Sequence, residues 1–338
     1  MKKLFLSLVA LMVAAVSYAQ NTLVATLSHG DDITMYYGTK ALAQAHANAV
    51  DGDVINLSGG TFDCYGTEIT KAIAIRGTGI DSANPTDIRN LTINGPASDT
   101  YRFSMEGIKV SDQNKVTLKG TFENAIFIKC QFYGLYCRDN SVNAKNVLFV
   151  NCKITSEQAF TLRGSSSVQF INSYVSGFNN ESPTTASASF VNCVILPYFA
   201  GYYRPAQIAS SILQNCIVYL PSNAGGALAS TTIATNCISI NNDGLFNNGQ
   251  QNLGCSYATF QDVFMNFTGT YSDSETFELS DEAKTTLLGT DGTEIGLYGG
   301  PMPYTSIPSY PQVTKMNVAN KTTADGKLSV EIEVNTAE

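Results

Sequence analysis

AIFIKCQF (125–132), VLFVNCKI (147–154), VQFINSYV (168–175), ASFVNCVI (188–195), SILQNCIV (211–218) and TIATNCIS (232–239) are six versions of one phrase. Their anchors, Cys130, Cys152, Ser173, Cys193, Cys216 and Cys237, stand 22, 21, 20, 23 and 21 residues apart. A unit of that length cannot bury its own apolar face, so neighbouring copies must stack and share a core. The rest of the chain reads as the start, the end or the decoration of that stack.

The columns of the phrase show where each copy bends. Phe127, Phe149, Phe170, Phe190, Leu213 and Ala234 stand three places before the anchor, and Ile128, Val150, Ile171, Val191, Gln214 and Thr235 two places before it. Strict alternation outward from the anchor would turn Gln214 inward and all four Phe outward, which is costly on both counts. A bend just before the anchor removes the conflict. The intervening column, Lys129, Asn151, Asn172, Asn192, Asn215 and Asn236, supplies it, because Asn tolerates the left-handed backbone region. Stacked Asn amides can also bond from coil to coil, with Lys129 departing from the pattern and the ladder beginning at Asn151.

The anchors then face the core together with Phe132, Ile154, Val175, Ile195 and Val218. Stacked Cβ vectors run parallel, and Ser173 leaves Cys152 and Cys193 about two ~4.8 Å spacings apart. The five anchor cysteines are therefore read as free, buried thiols that pack as small hydrophobes. Cys64, Cys137 and Cys255 lie off this column, and their pairing stays open.

Residues 1–19 have the form of a secretory signal peptide: Lys2 and Lys3, an apolar run over 4–16, and Ser17-Tyr18-Ala19 as a small-x-small cleavage site. The run is short for a ~30 Å hydrocarbon core, and no later segment is apolar enough to span one. The expectation is a mature chain from Gln20 that is secreted, periplasmic or on the cell surface, with no membrane insertion. Residues 20–52 hold two strand-like runs around His29-Gly30-Asp31-Asp32, read as turn chemistry rather than metal ligation, then a helix that covers the open end of the stack. Thr39 is its expected cap, Leu42, Ala45, Ala49 and Val50 its apolar face, and His46 a surface or cap residue.

The coils extend over 53–300, with Leu91 and Ile108 in the place later held by cysteine and a long loop or loosened coil over 241–254. Over 301–338, Pro301, Pro303, Pro308 and Pro311 precede two alternating runs, VTKMNV (313–318) and LSVEIEV (328–334), which predict a terminal hairpin along or over the last coil. VINLSGGTF (54–62) followed by ITKAIAIRG (69–77) is similar to the opening of the pectate lyase-like right-handed parallel β-helix superfamily, and the likeness continues through the NC coils to about Gly300. It implies an all-β, right-handed parallel β-helix with an N-terminal capping helix and a C-terminal hairpin. The superfamily's corner asparagine ladder would fall on Asn151, Asn172, Asn192, Asn215 and Asn236. Residues 276–300 are similar to the closing coils of its secreted members.

Lys and Arg number 20 against 28 Asp and Glu, a net charge of −8, which disfavours nucleic acid and anionic membrane faces. The superfamily likeness implies cleavage of acidic polysaccharides as one activity, but a lyase needs clustered acidic calcium ligands and a basic residue, and a hydrolase paired carboxylates. From 123 to 262 the acids are Glu123, Asp139, Glu157, Glu181, Asp243 and Asp262, widely spread. Arg163 and Arg204, each eleven residues past an anchor, with Glu157 and Asp139, form the best catalytic constellation. The favoured reading of them is solvated charge on turns.

Tyr is frequent at 17 residues. Tyr174 is expected to face outward, and the loop PYFAGYYRP (197–205) to present Tyr198, Tyr202, Tyr203 and Arg204; with Arg163 these are the candidate carbohydrate-binding residues. Aromatic faces with polar tips suit sugar rings or a protein surface. The sequence therefore predicts a non-catalytic protein that binds a polysaccharide or surface partner, with no cofactor. The alternatives are a polysaccharide lyase or glycoside hydrolase, which alone would call for calcium, and an adhesion spacer.

Overall fold

The computed structural model describes residues 23–335 apart from 97, 99, 112–115, 137–142, 156–159, 163, 177, 181, 197–207, 220–227, 242, 247–250, 268, 270, 273, 319–324 and 328. It is a right-handed parallel β-helix. The coils pass in turn through a long sheet of twelve strands and a second of ten, and the earlier coils continue into a third of six. One such coil runs Ala74–Arg76, Thr86–Arg89, Thr92–Asn94 and back to the long sheet at Ser104–Glu106.

The register aligns like with like. Phe127 pairs with Phe149, Phe149 with Phe170, Phe170 with Phe190, and Phe190 with Leu213. Inside the bore the four rings stack at centroid distances of 4.9, 4.9 and 5.0 Å. Phe132, Phe160 and Phe178 meet this stack edge-on. A column of one residue type thus becomes a continuous aromatic core, because the parallel ladder repeats at a distance close to ring stacking.

The corner between the long and second sheets is a single residue in the left-handed region. Lys129, Asn151, Asn172, Asn192, Asn215 and Asn236 have φ of 51°, 54°, 44°, 53°, 54° and 49°. The anchor after it faces the bore and caps the bend. Cys152 Sγ donates to the carbonyls of Val150 and Phe127 at 3.4 Å, and Ser173 Oγ donates to Ile171 O at 2.8 Å. Cys and Ser are interchangeable here because both are small and carry one donor.

The anchor cysteines are free, as are Cys64 and Cys255, and burial pushes the Cys152 thiol up to about 12. Cys255 belongs to the column after all: Gly254, φ 71°, turns the corner before it, and its sulfur accepts from Cys237 N at 3.4 Å. Cys137 lies outside the described residues. Ile108 occupies an anchor position, after Gly107. Leu91 does not, because Asn90, φ 56°, turns the chain from the second sheet to the third.

At the N-terminal end, β1 (Val24–His29) and β2 (Asp32–Tyr37) extend the long sheet as an antiparallel hairpin. Helix α1 (Ala41–Asn48) buries Ala41, Leu42, Ala45 and His46. Its N-cap is Lys40 without a side-chain bond, not Thr39, and Val50 lies past its end and is exposed. Lys71 Nζ closes the other end on the carbonyls of His46 and Ala49, both at 2.6 Å. His29 Nδ1 donates to Asp53 Oδ1 at 2.7 Å, and no cluster among the described residues could hold a metal ion. No described helix is long and apolar enough to cross a membrane.

His46 is a buried acceptor: its Nε2 receives Thr70 N at 3.1 Å. Burial, with Lys71 nearby, lowers its pKa from 6.5 to about 4. The unfolded chain therefore binds the extra proton between those values, so this contribution is whole above pH 6.5 and is lost as pH falls toward 4. The loss is at most about 3 kcal/mol. Urea midpoints measured across this range should fall with acid in the wild type and flatten in His46→Gln; parallel curves would refute the assignment. His29, raised by its bond to Asp53, acts in the opposite sense and should be replaced by Asn in both proteins.

The chain leaves the stack at Thr259 and folds back over it. Helices α2 (Phe260–Val263) and α3 (Asp281–Thr286) begin on side-chain caps from Thr259 and Ser280. With Phe267, Phe277, Ile295 and Leu297 they bury the outer face of the second sheet, including Tyr174, Val194, Ile217 and Ile238. Residues 276–300 are therefore a cover rather than closing coils. From 288 the chain runs down the asparagine corner against the direction of stacking. Asn236 Nδ2 donates to Leu288 O at 2.9 Å, Asn172 Nδ2 to Leu297 O and Gly299 O at 2.7 Å, and Asn151 Nδ2 to Pro303 O at 3.3 Å.

Further down, Lys129 Nζ meets Ser309 Oγ at 3.1 Å, and the Tyr310 hydroxyl donates to Gly77 O. The strap lies so close that a Cβ on Gly300 would come within 2.1 Å of Asn192 Nδ2. The one amide bond from rung to rung is Asn236 Nδ2 to Asn215 Oδ1, 3.0 Å, so among the described residues the ladder chiefly holds the strap. The hairpin Gln312–Val318 with Val330–Asn335 consequently emerges beside the early coils and not over the last.

Candidate binding groove

The outer face of the long sheet is built from two columns. Six places before each anchor stand Asn124, Asn146, Ser167, Ser187, Ser210 and Thr231, at the turn where the chain enters the sheet. Here too the backbone turns left-handed, with φ of 57°, 54° and 51° at Asn124, Asn146 and Ser210. Short polar side chains suit such turns because they can satisfy nearby backbone groups. Asn146 N donates to Ser167 Oγ at 2.8 Å, Ser210 N to Thr231 Oγ1 at 2.9 Å, and Ser210 Oγ to Pro183 O at 2.6 Å.

Two places further on, Leu148, Gln169, Ser189 and Ile212 point out of the sheet, while Val147, Val168, Ala188 and Ser211 point in. The small Ser167, Ser187 and Ser189 lie low between Leu148 at one end and Ile212, 52% exposed, at the other. The result is a groove of about 420 Å³ running across four coils. Its described lining carries hydroxyl, amide and aliphatic groups and no ionisable side chain. Next to it, Lys145 is paired with Glu123 at 3.3 Å. The surface offers donors and acceptors on each coil; it offers no group there to move a proton near neutral pH.

The residues singled out in the sequence fall elsewhere. Tyr174 does leave the bore, but the cover buries it completely. Its hydroxyl donates to Leu196 O at 3.1 Å, and its ring stacks on Phe277 at 4.7 Å and Tyr271 at 5.0 Å. It is a packing residue, and contrary to the sequence expectation its ring is closed to a ligand by the cover. Tyr219 meets Phe260 at 4.8 Å under the same cover. Arg163, Tyr198, Tyr202, Tyr203 and Arg204 lie outside the described residues, as do Asp139 and Glu157. The chain segment holding four of them leads directly into Ser210 and Ile212 of the groove.

Asn151, Asn172, Asn192, Asn215 and Asn236 stand where the bend requires them and serve the strap. The groove itself went unread in the sequence, although its signal was present: six consecutive Asn, Ser or Thr at a fixed offset from the anchor. Comparisons with known proteins return no match, whether to protein-family models, curated proteins or solved structures.

Proposed function

We propose that this chain is a secreted or surface β-helix protein that holds a carbohydrate chain without cleaving it, and that it is a distant relative of the pectate lyase-like superfamily. The observation that carries the reading is the groove, a coil-by-coil series of hydroxyl and amide groups flanked by the aliphatic Leu148 and Ile212, with no ionisable side chain in its described lining. Sugars present the same pairing of hydroxyl edges and apolar ring faces, and oriented polar groups on a largely preformed concave surface are what their recognition needs. The signal-like residues 1–19 and the superfamily likeness of the sequence support the setting.

The test is retention of the chain from Gln20 on soluble polysaccharides, compared with Ser189→Phe, which fills the groove from its outer face and leaves the core untouched. Wild type should be retained, and the variant should bind at least about tenfold more weakly, about 1.4 kcal/mol. Equal binding by the two would place the site elsewhere. Calcium-dependent release of unsaturated sugars would make the protein a lyase. Tyr202→Ala with Tyr203→Ala asks separately whether the segment that precedes Ser210 in the sequence takes part.

A further inference from the structure

We infer that the groove selects an uncharged pyranose polymer, lying along the solenoid axis and covering about three sugar units. This rests on the carbohydrate reading above and adds the class of sugar. Asn146, Ser167, Gln169, Ser187, Ser189 and Ser210 supply the polar lining, and every one is a neutral group. Hydroxyl and amide groups can each donate and accept, so they match sugar hydroxyls whichever way these point.

A uronic acid brings a carboxylate that must shed water, and that cost is offset only by a cation or several strong donors. Among the described residues, the cation next to the groove in the chain is Lys145, and it is engaged by Glu123. The chain's net charge of −8 opposes the approach of a polyanion as well.

Length and direction follow from the coils. Leu148, Gln169, Ser189 and Ile212 lie on successive coils in register. Adjacent strands are ~4.8 Å apart, so the four rows span about 14 Å. That step is close to the length of one pyranose in an extended chain, so a polymer along the axis meets an equivalent row at each sugar. Leu148 and Ile212 offer aliphatic contact at the two ends, where ring faces can rest.

Affinity electrophoresis of the chain from Gln20 in gels containing mixed-linkage glucan, galactomannan, polygalacturonate or alginate, at low and high salt, tests this. Retardation is expected in one or more neutral gels, changing less than about twofold with salt because no ion pair is made. Gln169→Lys should weaken neutral binding severalfold and add salt-sensitive binding to polygalacturonate. Preference of the wild type for an acidic polymer, or steep loss with salt, overturns the inference and leaves the carbohydrate reading standing. Retention by no polymer overturns both.

Discussion

Asn172→Ala is expected to lower the unfolding free energy by about 3 kcal/mol or more, read from denaturant midpoints at unchanged slope. Two costs add. The residue holds φ 44°, and a side chain without a local hydrogen-bonding group pays about 1–2 kcal/mol in the left-handed region. Its amide also satisfies the carbonyls of Leu297 and Gly299, both at 2.7 Å in a buried corner, and each orphaned acceptor costs about 1–3 kcal/mol. Asn172→Gly separates the two, since it keeps the backbone permissible and loses only the bonds. It should be about 1 kcal/mol less harmful than Ala. If Ala proves no worse than Gly, the backbone has no part in the choice of asparagine.

Phe170→Ala should destabilise to a similar degree, about 3–5 kcal/mol. Its ring lies 4.9 Å from Phe149 and 5.0 Å from Phe190 and meets Phe160 and Phe178 edge-on, so its removal opens a cavity walled by four rings. Those rings are fixed in a parallel ladder and can close the space only in part. Phe170→Leu should cost much less, under about 1.5 kcal/mol if the stack repacks. The chain itself makes that exchange at Leu213, two places further along the column. A Leu variant as damaged as Ala would show that ring stacking, rather than volume, sets the stability of the bore.

The stack was legible because its contacts are local in period, each residue meeting its counterpart one coil away. The bend was legible for the same reason: Gln214 and the Phe column could not both be satisfied without it. The fate of Tyr174 was not, since what buries it comes from Tyr271 and Phe277, about a hundred residues on, and no periodicity links them. Leu91 misled because an asparagine before an apolar residue serves two different corners. Cys255 was missed because the last step is shorter, 18 residues, and glycine replaces asparagine. The groove hid in plain pattern: its polar column repeats as faithfully as the cysteines, but hydroxyls on a surface attract no notice until the strands show which of them share a face.

Neighbour-only contact would let a solenoid fray from either end, each repeat melting almost independently of distant ones. Residues 288–310 change that statistic, because one continuous segment is bonded to the coils of Asn236, Asn172, Asn151 and Lys129 and reaches Gly77. Synthesis proceeds from the N-terminus, so coils can assemble as they appear, but this segment has a complete seat only once the whole row of corners exists. It then acts as a latch thrown last, converting a one-dimensional chain of weakly coupled units into a body whose ends open together or not at all.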